Sequence, residues 1–334
     1  MPLRLIEVFA PPGHADRIAA IAQRFKALNC WTDTAPAGGA EGSTPVQTSR
    51  IVARPEHQQE LIDQLQGALG KGKPWRITIM PIEATIPELE QPQEERRTPE
   101  QTTREELYAA IDRGARVDST FLELVALSTL VAAIGLFENA TTLVIAGMLI
   151  APLLGPNIAM AFGSTLGDRE LVVRGILANA AGIALSVACA AVAGRILPVD
   201  DSSLALISRT QLGYDAILLA LASGAAGALS LTTQLPSTLT GVMVAVALLP
   251  PAATLGYMLG TVQLKLAAGA AALLAVNLVC VNLSAQLVFV AKGIKPRTWL
   301  DRRAAHQSTK ISLAITGSLL AILVAVIYWQ KGQP

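Results

Sequence analysis

Charged side chains are scarce in this chain of 334 residues, at 15% against about a quarter in soluble domains. With 52% hydrophobic residues and a mean hydropathy of +0.47, that scarcity excludes an ordinary soluble enzyme. A net charge of +1 leaves no global field for drawing in nucleic acid, so no nucleic-acid partner is expected. Cysteine is nearly absent: Cys30, Cys189 and Cys280 are an odd, scattered set from which neither a disulfide framework nor a zinc site can be assembled. His14, His57 and His306 are equally isolated, so neither metal nor cofactor is implied and the histidines read as ordinary surface residues. The chain start, Met1 to Ala10, carries Glu7 inside its apolar stretch and is too short for a secretory signal.

What is present is unevenly spread. Of the 51 Asp, Glu, Lys and Arg residues, 31 fall in 1–118 and only 12 in 119–291, so a polar front end is joined to a membrane body. Uncharged runs cover 139–167, 175–194, 216–264, 266–291 and 311–330. A bilayer core takes about 20 apolar helical residues to cross. Seven spans are expected: 119–137, 141–162, 171–194, 215–233, 239–260, 266–291 and 311–330. With the front end in the cytosol, the inner loops hold 11 Lys and Arg and the outer side four, as the positive-inside rule asks. A multi-pass protein of a prokaryotic inner membrane, its N-terminus cytosolic and the lipid bilayer its first partner, is the expectation.

The front end, 1–86, alternates strand and helix patterns. Leu3–Phe9 reads as a strand, and Ile18, Ile21, Ala22, Phe25 and Leu28 recur at helical spacing. Strands near Cys30–Thr34 and Ser49–Ala53, a helix marked by Leu61, Ile62, Leu65 and Leu69, and a strand at Trp75–Ile82 complete the order βαββαβ. That order is the ferredoxin-like α+β arrangement, with both helices on one sheet face. Ala35–Thr48 is then a long hairpin connection. Gly67–Pro74 has the glycine and lysine spacing of a phosphate-binding loop, but it closes a helix and lacks a hydroxyl after the lysine, so a glycine helix end explains it better. Residues 87–102, rich in Pro, Glu and Gln, form a solvated linker. At 103–118 a juxtamembrane helix is expected, opened by the capping box Thr103-Arg-Glu-Glu106.

Prolines carry the information in the membrane domain, 119–296. Pro152 and Pro156 in the second span, and Pro250 and Pro251 in the fifth, each remove backbone donors and are expected to break their helices. With a shift of 94, Gly147, Ala151, Leu154 and Pro156 match Gly241, Ala245, Leu248 and Pro250; upstream, Ala132–Leu136 resembles Ala225–Leu229 with a shift of 93. Two repeats of three crossings follow, and an odd number makes them inverted, a 3+3 arrangement. Broken helices at matching places in inverted halves point to a mid-membrane solute site, because freed N–H and C=O groups cannot face lipid. A pair of kinks satisfied by neighbouring helices is the competing reading. Beyond this domain lie a basic cytosolic loop at 297–310 and a final span at 311–330.

No Asp, Glu, Lys or Arg lies deep in a span, which excludes a proton relay on buried carboxylates. Polar candidates for a substrate pathway are Asn157 first, then Asn277 and Asn282 beside Pro152, Gly155, Pro156, Pro250 and Pro251. Asn179, Gln286, Ser164, Thr165, Ser230, Thr232 and Thr233 are further polar residues, and for Asn179, Asn277 and Asn282 bonding across helices is the favoured reading. Gly163, Gly167, Asp168 and Glu138 are candidate gating or loop positions. Small residues in 175–193 and 216–230 imply close helix packing and faces suited to a homo-oligomer.

Thr-Arg-Glu-Glu-Leu-Tyr at 103–108, Val125–Asn139, Gly147–Asp168, Ala245–Gly256 with its double proline, and Asn282–Pro296 resemble the prokaryotic membrane family called domain of unknown function 389. Pro152, Gly155, Pro156, Gly163, Gly167, Asp168, Pro250 and Pro251 match its hallmark positions. The resemblance implies an integral membrane protein with a variable soluble portion and brings no catalytic residue. The expected function is passage of an unidentified small solute or ion, with the front domain as sensor or assembly platform. The alternative is a membrane anchor that oligomerises and binds a cytosolic partner. An intramembrane enzyme is the weakest reading, as the spans hold no nucleophile–base pair.

Overall fold

The computed structural model describes residues 3–34, 47–54, 58–70, 75–82, 104–196, 204–233 and 237–294, with Ala314, Gly317, Ser318 and Ala321; within 237–247 it describes backbone only. The linker, the capping threonine Thr103, the basic loop, nearly all of the final span and 35–46 of the expected hairpin connection lie outside the described residues, while Gln47 and Thr48 of that connection belong to a strand. The chain divides into two compact units, Met1–Glu106 and Leu107–Pro334.

The first unit runs β1 (Arg4–Ala10), α1 (Ala15–Arg24), β2 (Asn29–Thr34), β3 (Gln47–Ala53), α2 (Gln58–Leu69) and β4 (Arg76–Pro81). These strands form one antiparallel sheet in the order β2-β3-β1-β4, with Ile6 opposite Ile51 and Ile79. The βαββαβ order read from the alternation is the one observed. Alternate residues Ile6, Val8 and Ala10 point to the face covered by Ile18 and Ala22 of α1 and Leu61, Ile62 and Leu65 of α2, so both helices share one side. Across the other side Arg50 bridges Glu7 and Asp33 at 2.6 Å each. Gly70 takes φ +74 just past α2, and its carbonyl accepts from Trp75 Nε1 at 3.0 Å, so this glycine does serve as a helix end. Arg104 and Glu106 complete the unit through Asp63 and Arg4, at 3.0 and 3.2 Å.

Helix α3 (Arg104–Gly114) begins in the first unit and runs into the second, where α4 (Ser119–Phe137), α5 (Thr141–Ile150), α6 (Leu154–Leu166), α7 (Arg169–Ile196), the short α8 (Leu204–Ile207), α9 (Tyr214–Thr232), α10 (Ser237–Gly260) and α11 (Leu264–Ala291) follow. Four of these, α4, α7, α9 and α11, are long and apolar enough to cross a membrane among the described residues, or five if the bent pair α5–α6 is one span. That is a membrane-protein body; the expectation of seven crossings goes beyond it. Asp118 caps α4 by accepting from Phe121 N–H at 2.7 Å.

One proline pair breaks its helix and the other does not. Ala151, before Pro152, is extended at φ −68 and ψ 121, α5 stops at Ile150, and α6 leaves at an angle of 54°. Pro156 then falls in the first turn of α6, where its missing N–H costs no ladder bond. Contrary to expectation, Pro250 and Pro251 lie inside the continuous helix α10. They are adjacent and buried, and Leu248, Leu249, Ala252 and Ala253 around them pack into one apolar cluster with Val125, Met148 and Ala190, which holds the helix across the two lost donors.

Helices recur at a constant spacing. α4 and α9 are both 19 residues long, α7 and α11 both 28, and each pair starts 95 positions apart. Contacts recur with the same offset. Thr129 and Ser186 share a 2.9 Å hydrogen bond between α4 and α7, and 95 residues on Gly224 of α9 lies against the backbone of Val281 of α11. Asp168 N–H donates to Gly163 O at 2.9 Å after Gly167 at φ +73; Gln263 N–H donates to Met258 O at 2.8 Å after Val262 at φ +62. The upstream shift of 93 suggested by Ala132–Leu136 is therefore not the structural one; 95 is, and it sets Pro156 against Pro251.

Candidate functional site

The second unit buries its polar side chains without charge. Among its described residues those that are buried and polar are Ser, Thr, Asn and Gln alone. A buried amide without a hydrogen bond loses its full desolvation cost, about 1–3 kcal/mol, so such groups mark places worth explaining. Asn157, directly after Pro156 in the first turn of α6, is 0% exposed, and neither its Nδ2 nor its Oδ1 has a hydrogen-bond partner. Gln286 on α11 is likewise 0% exposed with both amide atoms unpartnered. Asn282, one turn before it, leaves its Nδ2 without a partner.

Residues 282, 286 and 289 stand at i, i+4 and i+7 and share one face of α11. That face meets α6, because the Phe289 ring packs edge-on against Phe162 at 5.2 Å and 73°. Asn277, five residues before Asn282, is about 140° round the helix and off this stripe, buried at 5% exposure. Asn179 on α7 donates Nδ2 to the Met160 sulfur at 3.2 Å, a contact between helices of the kind expected of it. Thr254 on α10, fully buried with an unpartnered hydroxyl, was hidden in the sequence among apolar neighbours.

The proline segments come together, but in apolar company. Ala151 and Leu153, which flank Pro152, belong to the same cluster as Leu248, Leu249, Ala252 and Ala253, which flank Pro250 and Pro251. The unpartnered polar atoms begin beyond the break, at Asn157. Gly155 presses on Gly114 at the end of α3, with no room for a Cβ between the two backbones. Gly163 lies against Val172 of α7, and Gly167 supplies the left-handed turn into that helix. Asp168 caps α7 by accepting from Leu171 N–H at 3.0 Å and also accepts from the Tyr108 hydroxyl at 2.7 Å. Burial first, then that bond, push the Tyr108 phenol up to about 12, so it stays a donor at every physiological pH. Arg174 adds a second tie to α3, reaching Asp112 at 2.5 Å. Gly163, Gly167 and Asp168 thus build the α6–α7 turn, and Glu138 is an exposed residue closing α4.

The family model described as Domain of unknown function (DUF389) matches residues 148–283, which include the α5–α6 break, both α10 prolines and Asn282. An uncharacterized protein of Methanocaldococcus jannaschii, MJ0678, is 33% identical over 284 residues, covering 85% of this chain and 88% of the relative. No solved structure matches. With that identity along most of both chains, and the family model on the core of the helical body, the chain belongs to the family described as Domain of unknown function (DUF389).

Proposed function

We propose that the helical body passes a small solute or ion across a prokaryotic plasma membrane, with the first unit on the cytosolic side as a sensor or assembly platform. The observation that carries this reading is the pair of wholly buried, unpartnered amides, Asn157 and Gln286, inside a body whose described buried residues carry no charge. Natural folds leave few such groups unsatisfied, and those they keep commonly serve a ligand or a wet path.

The repeat supports it further. Two sets of matching helices spaced by 95 residues, each with a proline-bearing second element, fit an inverted pair, provided that the α5–α6 pair and α10 both cross. The lysine and arginine bias of the loops supports a cytosolic N-terminus. The anchor reading rests on one observation, the apolar packing of the two proline segments against each other.

The test is flux into proteoliposomes over a panel of ions and small metabolites. Asn157→Leu is expected to abolish passage while the protein still elutes as the wild type does. An absence of flux across the whole panel leaves only the anchor.

A further inference from the structure

The 95-residue offset relates two seams of the helical body to each other. Tyr257 of α10 meets Gly194 of α7, and 95 positions away from each partner Phe162 of α6 meets Phe289 of α11. The helices have exchanged roles: the second element of each half packs on the third element of the other. One seam, α7–α10, is read directly. Gly256 presses on Val187 O and Ala190, and Gly260 on Ala191 O, so backbones approach as closely as two helices can.

Carried across by the offset, Val187 becomes Asn282, Ala191 becomes Gln286, Ala252 becomes Asn157, and Gly260 becomes Thr165. Four apolar positions of the tight seam thus have polar counterparts, while Gly256 and Ala190 keep small apolar ones in Ala161 and Ala285. Asn157 lies one turn before Ala161, the counterpart of Gly256, which sets the three amides along successive turns of the same seam. Three of them are nine-tenths buried or more and hold atoms without hydrogen-bond partners. Sharing one ancestral packing, the two seams differ in the feature that a bound solute requires.

We infer that the α6–α11 seam is the binding site for a small, uncharged solute that both donates and accepts hydrogen bonds, of the polyol or urea class. This rests on the passage reading above. The chemistry follows from the amides: Asn157 and Gln286 each present an unsatisfied acceptor oxygen and an unsatisfied donor nitrogen, and a neutral donor–acceptor molecule satisfies each in turn along the seam. A bare ion would have no countercharge, because no buried residue described in this unit is charged.

Proteoliposomes facing an osmotic gradient of glycerol or urea, followed by stopped-flow light scattering, test it. Wild-type protein is expected to speed re-swelling over empty vesicles, and Gln286→Met or Asn282→Leu to cut that gain by about tenfold or more. Gln286→Glu, which keeps the shape, provides a second variant should the others fail to fold, and is expected to slow both probes. Ala252→Ser in the opposite seam is expected to leave the rate unchanged. Glycerol and urea flux that survives all three α11 variants overturns the seam assignment and leaves passage standing. Potassium or chloride flux lost in those variants, without glycerol or urea flux, overturns the neutral-solute assignment alone. No flux of any probe overturns the passage reading, and the site with it.

Discussion

The two seams of the helical body use one geometry for opposite ends. Along α7–α10 the contacts are glycine against backbone and Tyr257 against Gly194, with apolar Leu248, Leu249, Ala252 and Ala253 filling the rest. Along α6–α11 two aromatic rings meet at one end, and Asn282 and Gln286 occupy the stripe that leads to them. Close glycine packing gains dispersion contacts. Buried amides forgo part of that gain, which is tolerable only if something else satisfies them. The difference teaches that matching positions of two interfaces can be filled by tight apolar packing in one and by unpartnered amides in the other.

The comparison is broken most severely by filling the tight seam. Gly256→Val places methyl groups into the Val187 carbonyl and Ala190 and is expected to cost about 1–3 kcal/mol or more, read as a lower midpoint in thermal unfolding of the detergent-solubilised protein. Gln286→Met should do the reverse. Removing two unsatisfied atoms at similar volume is expected to raise stability by about 1–2 kcal/mol in the same assay, even as it stops passage.

The repeat itself gives a smaller contrast. Val262 holds φ +62, a conformation costly for a β-branched residue, where the first half has Gly167. Val262→Gly is expected to stabilise by about 1 kcal/mol, whereas Gly167→Val destabilises by about as much or more. Smallest is Tyr108→Phe, which removes the bond to Asp168 for about 0.5–1 kcal/mol. Because the phenol is raised from 10.0 to about 12, the contribution of this bond is complete below pH 10 and is lost as pH climbs toward 12. An unfolding series across that range, run on the wild type and Tyr108→Phe, checks it.

How far these features could be read from residues alone varies with how local their causes are. The βαββαβ order followed from period-two and period-3.6 apolar spacing, and helix limits such as Ser119 and Phe137 from where the apolar stretch begins and ends. The break at Pro152 was legible because a proline acts on the residue before it. Pro250 and Pro251 obey the same local rule and still failed to break α10, since burial among apolar neighbours outweighed it. Asn157 could be singled out by its place after Pro156. Gln286 stood among several polar residues of equal standing, because whether an amide finds a partner depends on which helix lies opposite. The offset of 95 was blurred for a like reason: small residues such as Ala and Gly match one another at several shifts, while packed contacts match at one.

Helix α7 packs on both α6 and α10, and α11 on both α10 and α6. Each half therefore finishes its neighbour's interior as well as its own, in the manner of two clasped hands. A peptide ending after Val199 would keep a greasy flank with nothing to rest on, and so would the remainder. Cohesion of the helical body thus draws on this reciprocal packing as well as on the covalent chain.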